Sequence, residues 1–257
     1  MEHTGSFNKY GNSPVFGNLE TGTMFDAYVW KQNGRLRMDV SWRPKKVLAV
    51  TFSDDGIHWD EPIITLECDP STGENNLNRN CVIPDPSGNG YLMWYTSQYW
   101  EGAHGKSWIG IARSDDGIHF PENKDNPIVF DKAGADFTYN TLTGKFMMTV
   151  SAAAPSGDCE AVYIQESADG INWQCTSWRQ LAENAYVISS ETIKMRCFAD
   201  FVTNPYGMVD TATMFMSYTE GDMPADGEWW MSTNPTFEAH FAAVNLPEFA
   251  KRPIDTP

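Results

Sequence analysis

An all-β propeller built of four-stranded antiparallel blades is the fold that the amino-acid sequence predicts, on three observations. A hairpin motif recurs at a blade-like period, each copy follows an apolar β-rich run, and two further strand-like segments precede each run. The motif reads Ser53-Asp54-Asp55-Gly56-Ile57-His58-Trp59, then Ser114-Asp115-Asp116-Gly117-Ile118-His119-Phe120, then Ser167-Ala168-Asp169-Gly170-Ile171-Asn172-Trp173, with serine spacings of 61 and 53 residues. A worn fourth copy, Ser232-Thr233-Asn234-Pro235-Thr236-Phe237, lies 65 residues further on and again ends in an aromatic.

The elements follow in order. Residues 47–52, 108–112 and 161–164 run into the three clear copies, where Asp-Gly supplies the turn and the aromatic begins a return strand, so each is a β-hairpin. One strand upstream come residues 35–42, 91–97, 145–151 and 213–218, and before those residues 25–30, 80–83, 136–139 and 199–202. A single domain over residues 1–257 thus divides into modules at about 22–67, 76–130, 134–182 and 195–245. Residues 236–250, with their Phe-Glu-Ala-His-Phe-Ala-Ala run, read as partly helical.

Composition narrows the function. Thirty-four Asp and Glu against eighteen Lys and Arg leave a net charge of −16, which repels phosphate backbones and anionic lipid, so neither nucleic acid nor a membrane surface is an expected partner. Hydrophobic residues at 41% and ten Trp supply a packed core. No apolar run approaches the roughly 18–20 residues needed to span a bilayer. The five cysteines, at 68, 81, 159, 175 and 197, form no C-x-x-C pair. A cytoplasmic location is the expectation, with a removed secretion signal as the alternative.

Chemistry is expected where the blades converge. The innermost strand of each blade starts on one face of a propeller, and the Asp-Gly hairpins lie on the other, so the heads of the inner strands ring the axis. Counting about ten residues back from each second strand lands on Asp26, Asn80, Asp136 and Asp200, spaced by 54, 56 and 64 residues. A carboxylate beside apolar neighbours at the head of a buried strand is costly unless something uses or satisfies it. Catalysis is the expectation for Asp26 and Asp136, whereas for Asp200 a plain rim role, accepting backbone N–H bonds, stays open. Two carboxylates facing across a cleft suit glycoside hydrolysis, which needs a proton donor to the leaving oxygen and a base or nucleophile on the other side of the sugar. Trp42, Arg43, Gln98, Tyr99 and Trp100 fall on the same face as stacking platforms or polar contacts. His58 and His119 read as hairpin residues, and no metal or cofactor is expected.

Asn12-Ser13-Pro14-Val15-Phe16 and Phe25-Asp26-Ala27-Tyr28-Val29 resemble the opening blade of the five-bladed propeller glycoside hydrolases of families 43 and 32. Met93-Trp94-Tyr95-Thr96-Ser97, followed by Ile109-Gly110-Ile111-Ala112-Arg113-Ser114, is similar to their second blade. The resemblance runs from about residue 12 to 236 and implies a glycosidase or transglycosidase. In it Asp26 is base or nucleophile and Asp136 stabilises the transition state. The family's general acid is usually a Glu heading the fourth blade before a Cys-Pro, Gly-Pro or Arg-Pro pair, where this chain reads Met195-Arg196-Cys197-Phe198-Ala199-Asp200. Asp200, Glu191 and Glu220 are the substitutes, and Arg79 and Arg196 would steady ligand oxygens or carboxylates, arginine being always charged. The expected substrate contacts are Trp42, Arg43, Arg79, Asn80 and Trp100. A carbohydrate-binding propeller that has lost its acid is the competing reading. Four modules are legible where five are expected; the chain is then incomplete, closes with four blades, or completes its propeller through a partner, a homo-oligomer included.

Overall fold

The computed structural model describes residues 11, 15–17, 21–69, 71, 73–101, 104–121, 126–130, 135–153, 159–173, 186–189, 194–211, 213–222 and 237–245. Among them fifteen strands form four antiparallel sheets. The first holds β1 (Met24–Gln32), β2 (Arg35–Trp42), β3 (Val47–Ser53) and β4 (Ile63–Leu66). The second holds β5 (Asn76–Pro84), β6 (Tyr91–Glu101), β7 (His104–Ser114) and β8 (Val129–Phe130). The third holds β9 (Asp136–Asn140), β10 (Lys145–Ala153), β11 (Cys159–Ser167) and β12 (Tyr186–Ser189). The fourth holds β13 (Lys194–Val202), β14 (Thr213–Asp222) and β15 (Phe237–Asn245). In each sheet strands pair in chain order, and the first strands meet one another, β1 with β5, β5 with β9 and β9 with β13. This is the all-β, blade-like architecture expected from the repeat.

One expectation is overturned. Residues 237–245 form β15 and not a helix, paired with β14 through nine consecutive residues from Gly221↔Phe237 to Thr213↔Asn245. Alanine is a strong helix former, but intrinsic propensity is a weak prior, and a nine-pair ladder on an existing strand outweighs it.

The hairpin motif has one repeated geometry. In the first copy Ser53 Oγ accepts the Gly56 N–H at 2.8 Å, and Asp55 Oδ1 accepts the N–H groups of Ile57 and His58, both at 2.8 Å. Its glycines need a left-handed backbone, with φ of 76° at Gly56, 75° at Gly117 and 73° at Gly170. The sixth position is His, His and Asn because each supplies a nitrogen to the other oxygen of the aspartate: His58 Nδ1 lies 2.7 Å from Asp55, His119 Nδ1 2.7 Å from Asp116, and Asn172 Nδ2 2.6 Å from Asp169. The two histidines are thereby hairpin residues.

These turns also join the blades. Arg37, on β2 of the first sheet, donates to the carbonyl of Gly117 in the second sheet's hairpin at 2.5 Å, and Trp94, on β6, donates to the carbonyl of Gly170 in the third at 2.9 Å. The apolar core lies in slabs between sheets. Trp30, Leu48, Leu77, Val82, Met93, Tyr95 and Phe120 pack between the first and second, and Ile83, Trp94, Ile111, Phe137, Phe146 and Trp173 between the second and third. Trp94 stacks on Phe137 with ring centroids 5.2 Å apart. The turn between β13 and β14 ties back to two sheets: the carbonyl of Gly207 accepts from Thr138 at 2.9 Å and from Tyr28 at 3.4 Å, and that of Pro205 accepts the Lys31 N–H at 2.6 Å.

A methyl group on Gly170 would lie 2.8 Å from the Trp94 ring, whereas one on Gly88, whose φ is also positive at 81°, would meet nothing within 4 Å. Gly88→Ala is therefore expected to cost about 1–2 kcal/mol, from backbone conformation alone. Gly170→Ala should cost clearly more and lower the Tm further, which paired thermal melts would read.

Candidate active site

The site forms where the sheet register and three β-bulges bring inner-strand residues together. The motif serines align the sheets, since Ser53 pairs with Leu36, Ser114 with Tyr91 and Ser167 with Phe146. Three residues along each second strand come Asp39, Trp94 and Thr149, whose inner-strand partners are Tyr28, Cys81 and Asp136. Tyr28, Cys81 and Asp136 are thus the equivalent positions. In the fourth sheet the first pair after the bulge is Asp200↔Ser217.

Asp26 and Asn80 do not hold that register. The ladder is interrupted between Phe25 and Tyr28, between Asn78 and Asn80, and between Cys197 and Asp200. At the first two interruptions Asp26 has φ 54° and Arg79 φ 40°, a conformation non-glycine residues adopt at a cost. Both stand two residues before the shared position, so the counterpart of Asp26 in the second sheet is Arg79. Asn80 lies one residue along. A bulge adds a residue that counting along the sequence cannot see, and it re-aims the side chains beside it.

The bulges converge on a cavity of about 440 Å³ lined by Asp26, Arg79, Asn80, Asp136 and Asp200, with Tyr28, Cys81 and Phe201 among its other walls. Arg79 Nη2 donates to Asp200 Oδ1. Its backbone N–H donates to Ser41 Oγ at 2.8 Å, and the Ser41 hydroxyl donates onward to Asp26 Oδ2 at 3.4 Å. Burial raises the pKa of Asp26; the Arg79 charge and the Ser41 hydrogen bond oppose that rise, and the charge of Asp200 adds to it. Asp136, 2% exposed, accepts the Cys81 S–H on Oδ1 and the Phe201 N–H on Oδ2, both at 2.7 Å. Burial, with the charge of Asp200 next, pushes its pKa up to about 7 against those donors and Arg79. Asn80 is 1% exposed, and among the described residues neither its amide oxygen nor its nitrogen has a hydrogen-bond partner.

The other expected residues lie elsewhere. Trp42 is 7% exposed in the core of the first sheet, donates its indole N–H to the carbonyl of Thr21 at 2.8 Å, and carries Lys45 over its ring at 3.7 Å. Arg43 sits over the Phe25 ring, 5.6 Å from its centroid, outside the cavity lining. Trp100 is on β6 and Glu220 on β14, with their side chains outside the described part, and Glu191 lies outside the described residues. Ser41, Tyr28 and Cys81 were not anticipated. The 53-residue spacing from Asp26 to Arg79, and from Tyr28 to Cys81, is the sequence signal that matches them.

Residues 28–224 match the model of the glycosyl hydrolases family 32 N-terminal domain. The chain belongs to this family. No curated protein matches it in sequence. Among solved structures the family 32 chain is similar to a fructofuranosidase from Schwanniomyces occidentalis complexed with fructose, at TM-score 0.61 and 16% identity over 92% of this chain and 47% of that one. It is similar to an exo-inulinase from Aspergillus awamori at TM-score 0.59 and 14% identity, over 90% and 49% of the two chains. An α-L-arabinofuranosidase from Podospora anserina in complex with cellotriose follows the same fold at TM-score 0.57 and 13% identity, over 87% and 73%. The chain spans about half the length of the fructofuranosidase and the inulinase.

Arg79 is the counter-charge of this cavity, and it lowers the pKa of Asp26 and Asp136. Without it both carboxyls move further above their unfolded values, so their ionised forms weigh against folding at high pH and cease to do so as they take up protons. Arg79→Met is expected to lose about 1–3 kcal/mol at pH 8, with the gap to wild type narrowing as pH falls toward 4. Thermal melts across that range check it.

Proposed function

We propose that the family 32 chain cleaves or transfers glycosidic bonds, with Asp26 as base or nucleophile and Asp136 as its electrostatic partner. The observation that carries this reading is the convergence of the two aspartates, from different blades, on one polar cavity. Their surroundings divide the roles. Both oxygens of Asp136 accept donors from neighbouring strands, so it stays in place and contributes charge as an oxocarbenium-like centre develops. Asp26 is held by a longer bond from Ser41 and is less buried, which suits a group that must approach the sugar. The unpartnered amide of Asn80 suits a sugar hydroxyl, which both donates and accepts.

The substrate class we infer is a small fructoside or a similar furanoside, supported by family membership and by the fructose held in the Schwanniomyces occidentalis structure. The acid is a separate matter. Asp200 is engaged by Arg79, which favours Glu191 or Glu220 for that role. The same engagement, with no glutamate in the stretch from Met195 to Asp200, favours the second reading, a carbohydrate-binding propeller without turnover.

Sucrose, fructo-oligosaccharides and aryl glycosides with activated leaving groups, arabinofuranosides and xylosides among them, distinguish the two. Activated leaving groups need little help from an acid. Turnover of at least one is expected, falling about 10²–10⁴-fold in Asp26→Asn, and kcat/KM should drop as pH falls through the Asp136 titration near 7. Sugar binding by calorimetry with no turnover on any substrate would move the assignment to a binding propeller.

A further inference from the structure

The surroundings of Asp136 carry an inference that rests on the two-carboxylate reading and goes beyond it. Cys81 stands at the register position of Asp136, one blade earlier, and lines the same cavity. Its Sγ lies 2.7 Å from Asp136 Oδ1, with each residue only 2% exposed. The other charged or titratable groups facing Asp136 come from every inner strand: Tyr28 and Asp26 from β1, Arg79 from β5 and Asp200 from β13. From β10, Thr149 takes the backbone N–H of Asp136 at 3.0 Å. The Phe201 donor is a main-chain N–H, which no side-chain change removes.

We propose that Cys81 is a positioning residue for the glycosidic reaction: its S–H, donated to Oδ1, favours the ionised form of the Asp136 carboxylate and holds it in one orientation. A thiol suits this place because burial, and then the charge of Asp136, keep the Cys81 proton on sulfur well above the ordinary thiol range, so it remains a donor throughout the working pH. A hydroxyl can take over the function, and a methyl group cannot. Cys81 and Asp136 hold equivalent register positions in adjacent sheets and are in direct hydrogen-bond contact.

The test compares wild type, Cys81→Ala and Cys81→Ser in two measurements. One is the pH profile of kcat/KM on whichever aryl glycoside wild type turns over; the other is the titration of the Asp136 carboxyl carbon by ¹³C NMR, which needs no turnover. In Cys81→Ala both the acid limb and the titration are expected to move up by about 0.5–1 pH unit, and Cys81→Ser is expected to restore them. Cys81→Val, close in volume, carries the same test if the alanine cavity unfolds the chain. An unshifted Asp136 titration in the alanine or valine variant overturns the inference whatever the activity. A shifted titration in a protein that turns over no glycoside supports the Cys81 bond to Asp136 and overturns its part in a glycosidic reaction.

Discussion

The bond on which the rest of this architecture depends is the one that the glycine carbonyl of the second and third Asp-Gly hairpins accepts from the blade before it. The hairpin closes its own blade through the serine hydroxyl and the aspartate, which leaves the glycine carbonyl turned toward the preceding blade. Arg37 meets Gly117 there, and Trp94 meets Gly170. A side chain at either glycine would strike the ring packed against it, Tyr91 in one case and Trp94 in the other. Turn chemistry and blade-to-blade packing are therefore one constraint. The Arg37 latch is fully buried, and Asp39 pairs with the guanidinium at 2.7 Å while Gln32 accepts from it at 2.8 Å, so its charge is compensated within the first sheet.

That constraint fixes the blades relative to one another, and with them the heads of the inner strands. The slabs of Trp, Phe, Met and Ile between the first three sheets bring β1, β5 and β9 together, β13 meets β9, and backbone bulges complete the aim of the side chains. Asp26 and Arg79 hold left-handed backbone at matching places, and Ser41 links them. Left-handed backbone at non-glycine residues persists only where the surrounding structure over-determines it.

Much of this was legible in the sequence because the motif repeats a local physical solution. Ser, Asp, Gly and a nitrogen donor recur at fixed offsets, and the first and second strands follow by counting; β2 runs over residues 35–42 as expected. Counting failed where the backbone departs from a regular ladder. Asn80 was aligned with Asp26, although the bulges make Arg79 its counterpart. Trp42 looked like a platform because aromatics at strand ends serve both sugars and cores, and its indole N–H found a carbonyl inside the protein instead. The strand at 237–245 was hidden because its pairing with β14 is a tertiary interaction, and local composition does not report it.

The electrostatics of the cavity explain why an arginine occupies the place of an aspartate. Asp26, Asp136 and Asp200 share one small cavity in a protein of net charge −16, and with no cation among them they would resist ionising together. Arg79 enters from the second blade through the bulge, engages Asp200, and lowers the pKa of both other aspartates against their burial. The bulge after Cys197 supplies Asp200 to that pair in the blade where a proton donor was expected. Arg79 is the charge that opposes the rise which burial and Asp200 impose on Asp26 and Asp136.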